Sequence, residues 1–273
     1  MKSSSINSNP RAINQLPDRY LELFCQLKNP PQKLFYKGDK TLLNRRKIAI
    51  VGTRRASQYA INSTKLIAQK LSSLGCVVVS GAAMGIDAAA HIGAGQSTIA
   101  VFGNSLDRIY PSVNRSLIEK IYSQSLALSE YELDTAPTSY SFVLRNRLVV
   151  SMSEAVIISE ADENGGSMRS AEIAIKLGRP IYVLPHRLGE SKGTAKLLAN
   201  SLATPIYDLD VFVASLGLSS LVPNDEIRDP LMEFCAFERS FDDVFAVFGE
   251  KLYEYELEGK IEIVNNRVII KPI

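Results

Sequence analysis

Five short runs of β-branched and apolar residues constrain this chain more than any other feature. They are Ile48-Ala49-Ile50-Val51, Val77-Val78-Val79, Ile99-Ala100-Val101-Phe102, Ala155-Val156-Ile157-Ile158 and Ile181-Tyr182-Val183-Leu184. Each is too short for a helix and lacks the polar alternation of a strand with one wet face. Each also runs into Gly, Ser or Pro, so they predict strands of a parallel sheet covered on both sides. Between the first two, Ala60, Thr64, Ile67, Leu71 and Leu74 recur at helical spacing, with Gly75 placed as a C-terminal cap. Strand alternating with helix predicts an α/β fold, a Rossmann-like, doubly wound and mostly parallel sheet. Ligands of such a sheet bind beyond the carboxyl ends of its strands.

The ends of the chain differ from this middle. Residues 1–18 are rich in Ser, Asn and Pro without periodicity, and residues 1–47 carry ten Lys/Arg against three Asp/Glu. Residues 1–44 are therefore expected to form a basic leader or arm, and residues 45–218 the Rossmann-like domain. A polar, proline-containing stretch makes residues 219–229 a linker. Residues 230–273 predict a short helix from Leu231, a helix capped by Ser240 with Asp243, a third around Leu252 to Leu257, and two strands about Asn265-Asn266. That is the order of a small winged-helix domain, here with five Lys/Arg against nine Asp/Glu. No apolar run reaches signal-peptide or membrane-span length, which predicts a cytoplasmic protein without membrane insertion. Cys25, Cys76 and Cys235 form no CxxC pair and His91 and His186 lie far apart, so buried, reduced thiols are expected and no zinc site.

The chemistry concentrates at the strand ends. Gly52-Thr53-Arg54-Arg55 follows the first strand: Gly52 permits close backbone approach, the Thr53 hydroxyl can donate and Arg54 can fork onto a phosphate. Neither GxGxxG nor GxxxxGK[ST] is present, which weighs against dinucleotide and ATP sites. Ser80-Gly81 opens a loop of small residues leading to Asp87 and His91, spaced to pair on one helical face, as a structural rather than a catalytic pair. Further glycine loops occur at Gly103-Asn104-Ser105, Gly165-Gly166-Ser167 and Lys192-Gly193-Thr194. The most specific segment runs from Phe142 to Arg145-Asn146-Arg147, with a stacking surface, two phosphate forks and an amide reader within a turn or two of helix. By itself it reads equally well as a core phenylalanine with two salt-bridged arginines.

In order along the chain, Val51-Gly52-Thr53-Arg54, Ser80-Gly81 through Asp87 to His91, and Gly103 to Tyr110-Pro111 and Asn114 make a pattern with Ser129-Glu130 and Phe142 with Arg145-Asn146-Arg147. Gly166-Ser167 with Ala171 and Ala174, and Gly193-Thr194, complete it. This series resembles the DNA-processing protein A (Smf) family over about residues 45–210. The resemblance implies single-stranded DNA as ligand, self-association as a homodimer, and delivery of the strand to the RecA recombinase in natural transformation and recombination. Its implied DNA-binding set is Gly52, Thr53, Arg54, Ser80, Gly81, Phe142, Arg145, Asn146, Arg147, Gly166, Ser167, Lys192, Gly193 and Thr194. No residue is assigned a catalytic role, and no cofactor or metal is expected. Two positions depart from the family: Ala195 stands where Asn is usual after Gly-Thr, and His186 follows Pro185 where Gly is usual. Residues 1–44 are also too few for the helical N-terminal domain of many members, so part of the positive field is expected from Lys28 to Lys47. The competing enzyme reading is a nucleoside-monophosphate phosphoribohydrolase, a family that this chain resembles at Gly165-Gly166-Ser167 with Ser170 and Glu172, where Glu172 would act on the ribose.

Overall fold

The computed structural model describes residues 12–218, 231, 234–235 and 239–271. Two compact units, Met1–Ser219 and Ser220–Ile273, divide the chain.

The larger unit is built on β1 (Asn14–Gln15), β2 (Phe35–Gly38), β3 (Lys47–Val51), β4 (Val77–Ser80), β5 (Thr98–Phe102), β6 (Leu126–Ser129), β7 (Ala155–Ile158), β8 (Ile181–Val183) and β9 (Thr204–Pro205). They form one sheet in the order β1-β2-β6-β5-β4-β3-β7-β8-β9. From β3 to β9 every neighbouring pair is parallel. All five expected strands are present. The chain leaves β3 toward β6, then returns to β7 on the other side of β3, which opens a crevice beyond the carboxyl ends of β3 and β7.

Helices α1 (Gln58–Ser73), α2 (Ile86–Ala94), α3 (Arg115–Gln124), α4 (Ser139–Ser151), α5 (Gly166–Lys176), α6 (Lys192–Ala199) and α7 (Leu209–Ser215) cover the sheet. Alternate residues of β3 serve opposite faces. Ile48 and Ile50 pack with Ile67 and Leu71 of α1 and Phe212 of α7. Ala49 and Val51 pack with Leu148 of α4 and Ala171 of α5. The apolar stripe expected of α1 is the buried one, and Gly75 takes the positive φ of its terminal turn.

Residues 12–44 are not an arm. β2 pairs antiparallel with β6, and β1 with β2. Leu16, Tyr20, Phe24 and Leu34 are buried in the same core cluster as Ala49 and Val51. The excess of lysine and arginine concealed this apolar set, and β6 is itself missing from the expected strands. The rest of the leader, residues 1–11, lies outside the described residues.

In the smaller unit, α8 (Phe241–Phe248) and α9 (Lys251–Leu257) stand with a three-stranded antiparallel sheet, the strand Arg239–Ser240 beside the hairpin of Ile261–Val264 and Arg267–Ile270. Asn265 and Asn266 both take positive φ, as a two-residue hairpin turn requires. The Ser240 hydroxyl accepts from the Asp243 N–H at 3.2 Å and caps α8. Leu231, Cys235, Val244, Leu252, Tyr255, Ile261 and Val268 make the core. The expected linker, and most of the helix expected from Leu231, lie outside the described residues.

All three cysteines are free, but Cys25 is exposed rather than buried. Among the described residues no helix is long and apolar enough to cross a membrane, and no His, Cys, Asp and Glu cluster could hold a metal ion.

Candidate nucleic-acid interface

Three strand-end loops interlock beyond β3. The Thr53 N–H donates to the Glu160 carbonyl at 2.8 Å, and the Ile86 N–H donates to the Thr53 carbonyl at 3.2 Å. A Cβ on Gly52 would stand 2.9 Å from the Glu160 oxygen and closer still to Ile86, so this glycine serves the loop packing itself. Behind it, Glu160 accepts from the Ser57 N–H at 2.9 Å and hydroxyl at 2.6 Å, anchoring the start of α1. With the backbone pinned on both sides, Arg54 and Arg55 project outward, both exposed.

They border a cleft of about 640 Å³, within the range of small-ligand sites. Gly52, Thr53, Arg54, Phe142, Arg145, Asn146, Gly166 and Ser167 line it together, joined by Arg55, Tyr110, Asp162 and Ser170. A reciprocal Thr138–Ser141 capping box fixes the start of α4, which carries Phe142, Arg145 and Asn146 along one face. Phe142 is half-buried, its ring stacked on Tyr110 at 5.4 Å and 21°. The Arg54 guanidinium lies 5.4 Å from the same ring centroid. A side chain at Gly103 would meet the Phe142 ring at 2.8 Å, so Gly103 is what lets the ring settle there. The Asn146 amide donates to the Gly166 carbonyl at 3.4 Å and ties α4 to the start of α5.

The arginines divide into two kinds. Arg145 is 5% exposed, donates to the Val101 carbonyl, and faces Asp87, itself 7% exposed. Burial pulls the Arg145 pKa down and pushes the Asp87 carboxyl up, and each opposes the shift in the other. Arg147 holds Glu130 at 2.6 Å in a half-buried pair. Both guanidinium groups are engaged inside the protein, whereas Arg54 and Arg55 donate to no acceptor among the described residues.

The Asp87–His91 pair expected from spacing does not form, because Asp87 turns to Arg145. The His91 Nε2–H donates to the Gly81 carbonyl, and Nδ1 lies 2.7 Å from the hydroxyl of Thr98, which itself donates to the Val78 carbonyl at 2.9 Å. Burial lowers the His91 pKa to about 4, so the ring is neutral. Ser80 is also internal, its hydroxyl donating to the Ile50 carbonyl at 2.6 Å, and a Cβ at Gly81 would strike Arg145 and Asp87. Ser80, Gly81 and Arg147 thus stand behind the cleft rather than in its wall.

Lys192, Gly193 and Thr194 do not line the cleft either. The Gly193 N–H donates to the Ala161 carbonyl at 2.9 Å, and Thr194 pairs with the Ser191 hydroxyl at 2.7 Å. This turn supports the loop before α5 from outside, while the Lys192 side chain is exposed. His186 donates through Nε2 to the Ser159 carbonyl at 2.8 Å and packs edge-on against Tyr59, so the family departure there closes a contact at the end of β7. Ala195 is exposed. Glu172, the residue of the enzyme reading, binds Arg169 at 2.9 Å on the exposed side of α5 and is not among the cleft-lining residues.

Tyr110, Arg55, Asp162 and Ser170 are among the cleft residues absent from the expected DNA-binding set. Tyr110 was legible as part of a motif, but its stacking on Phe142 joins residues far apart in sequence.

The family model for DNA recombination-mediator protein A matches residues 12–217. Protein Smf of Synechocystis is 34% identical over 226 residues, which cover 78% of this chain and 56% of that one. DNA processing protein DprA of Streptococcus pneumoniae is 38% identical over 173 residues, 62% of this chain and 61% of that one. The chain thus spans little more than half the length of these two curated relatives. Among solved structures, DNA processing protein A of Helicobacter pylori, described for its single-stranded DNA binding mode, superposes with a TM-score of 0.73 and 43% identity. It covers 75% of this chain and 95% of that one. The Streptococcus pneumoniae structure superposes with a TM-score of 0.70 and 34% identity, over 74% of each chain.

Proposed function

The chain belongs to the DNA recombination-mediator protein A family, and from that premise we propose that it binds single-stranded DNA in the cleft beyond β3 and β7. The observation that carries this reading is the pair of exposed guanidinium groups, Arg54 and Arg55, which make no hydrogen bond to an acceptor among the described residues, beside the Tyr110–Phe142 stack and the start of α5. Cations neutralise phosphates and release counterions, while aromatic faces accept any base, so binding is tolerant of sequence. Arg145 serves this site from the cleft wall by binding the β5 carbonyl and balancing the charge of Asp87, and Arg147 from behind by holding Glu130. Gly193 and Thr194 act in the same supporting way.

The protein protects incoming strands and delivers them to the RecA recombinase in the cytoplasm, working as a homodimer. Family membership and the relatives' common role in DNA processing support this part. No cofactor and no catalytic residue enter the scheme, since the cleft needs only to hold a strand. Titrating labelled oligo-dT at several salt concentrations tests the reading. Affinity should fall steeply with salt, and oligo-dA should bind within about tenfold of oligo-dT. Release of free base from AMP by the purified protein would instead establish the phosphoribohydrolase reading.

A further inference from the structure

The smaller unit carries an aromatic cluster on its outside. Phe241 stacks on Phe245 with ring centroids 5.3 Å apart, and Tyr253 meets Phe245 at 5.9 Å and Phe241 at 6.2 Å. Phe241 rests on the core of the unit, but Phe245 is 37% exposed, Tyr253 45%, and Leu257, one turn beyond Tyr253, 89%. Residues three and four apart are neighbours on a helix surface, which sets Glu250 beside Tyr253 and Glu254 beside Leu257. Both carboxylates are exposed and make no hydrogen bond or ion pair with a described residue. Asp242, three residues before Phe245, adds a third charge and accepts from the Asn266 amide at 3.2 Å. Nearby cations face other partners. Lys251 and Lys260 lie over the Tyr255 ring at 5.7 and 4.7 Å, Lys260 also holds Glu258 at 2.6 Å, and Lys271 holds Glu262 at 3.4 Å. Arg239 lies over the Phe234 ring at 4.2 Å.

A helix that reads DNA brings cations to the major groove, where they meet phosphates. Here α9 offers Tyr253, Leu257 and two unmet carboxylates, which repel a phosphate backbone and an anionic bilayer alike. Exposed aromatic faces attract cations through the ring quadrupole and also take apolar side chains. Charge complementarity then selects a chain whose lysines or arginines meet Asp242, Glu250 and Glu254 while its apolar side chains meet the rings. We propose that this face of α8 and α9 is a docking surface for a basic segment of a partner protein, one in which lysine or arginine alternates with apolar residues. The surface belongs to the smaller unit alone and does not depend on the single-strand reading of the cleft.

The test titrates the full chain into a labelled peptide that alternates lysine with leucine and follows its fluorescence anisotropy. Two control peptides carry glutamate in place of lysine, or serine in place of leucine. The lysine–leucine peptide should bind saturably and about tenfold more tightly than either control. Tyr253→Ala removes the most exposed of the three rings and should weaken the peptide about tenfold, as loss of an interface aromatic does. Trimming a ring can also loosen the unit, so a second variant leaves the rings alone. Glu250→Lys with Glu254→Lys should weaken the peptide about tenfold at low salt, a difference that narrows at about 0.5 M salt. Its thermal midpoint should match the parent's, because neither carboxylate has a partner to lose, and oligo-dT affinity should fall in neither variant. Equal binding of the three peptides, or parental binding by either variant, would overturn the proposal. So would sedimentation that shows the chain associating with itself until Tyr253→Ala separates the copies, since a second copy would then cover the face. Tighter binding of duplex DNA or of phosphatidylserine vesicles than of the peptide, abolished by Tyr253→Ala, would overturn it as well.

Discussion

Replacing Arg145 with glutamine removes the guanidinium that acts most strongly on the buried Asp87 carboxylate. What remains for Asp87 is the Ala83 N–H, the Arg54 charge and a Ser80 hydroxyl that also serves the Ile50 carbonyl, in a site where burial already pushes the carboxyl toward its neutral form. Arg145 and Asp87 share no direct hydrogen bond, so losing the charge between them costs at most the about 3–5 kcal/mol of a broken buried ion pair, against a total stability of about 5–15 kcal/mol for a domain. For a unit of this size that lowers the thermal midpoint by about 10 °C. The deficit has a pH signature. The Asp87 pKa is already raised above its unfolded value, and losing the Arg145 charge raises it further, so the folded variant binds the extra proton more readily. The penalty is then relieved as pH falls and returns as pH rises through that pKa. Urea and thermal unfolding of Arg145→Gln at about pH 7.5 and about pH 5.5 would show a smaller deficit at the lower value. Adding Asp87→Asn should recover most of the loss. A variant that melts within about 2 °C of the parent while losing oligo-dT affinity would refute this reasoning and make Arg145 a direct phosphate ligand.

His91 imposes a second pH dependence, of opposite sign. Its folded pKa of about 4 lies below the ordinary 6.5, so stability is full above pH 6.5 and is lost as pH falls toward 4, by about 3 kcal/mol in all. Urea melts across that window should show the loss, and His91→Gln should flatten it. Phe142→Ala should cost about 1–3 kcal/mol of single-strand affinity with an unchanged salt slope, since stacking releases no counterions. A loss of stability larger than the loss of affinity would make the ring structural. A truncation ending at Ser220 should keep oligo-dT and duplex affinity within a few-fold, because α9 and its C-terminal cap expose Glu254 and Glu258 where a recognition helix needs positive charge. A loss of about tenfold would put the smaller unit in contact with nucleic acid.

The sheet was legible because buried parallel strands announce themselves one at a time. Val77-Val78-Val79 needs no knowledge of its neighbours to be read as a strand. The first strands were not legible for the converse reason: β2 contains Lys37 and Gly38 and becomes a strand through its pairing with β6. At the site, spacing placed Phe142, Arg145 and Asn146 within a turn or two of helix, and all three line the cleft. Spacing could not say which arginines are free. Arg54 and Arg145 look alike in sequence, and the difference lies in Asp87 and Val101, which only the fold brings to Arg145. The Asp87–His91 expectation failed in the same way, since a pair that helical geometry permits lost to partners from β5 and α4. Several glycines that read as openings for a ligand, Gly52, Gly81 and Gly103 among them, instead let loops and rings pack against one another.

The central claim is that Arg54 and Arg55 are the phosphate-neutralising pair of a single-strand site. Its most direct test is the salt dependence of oligo-dT affinity for the parent and for the double variant Arg54→Ala, Arg55→Ala. Each lost phosphate contact should make the slope of log affinity against log salt shallower by about 0.7, so the double variant should be shallower by about 1.4. Affinity should fall alike for oligo-dT and oligo-dA, with thermal stability unchanged. A folded double variant with the parent's affinity and slope would contradict the account.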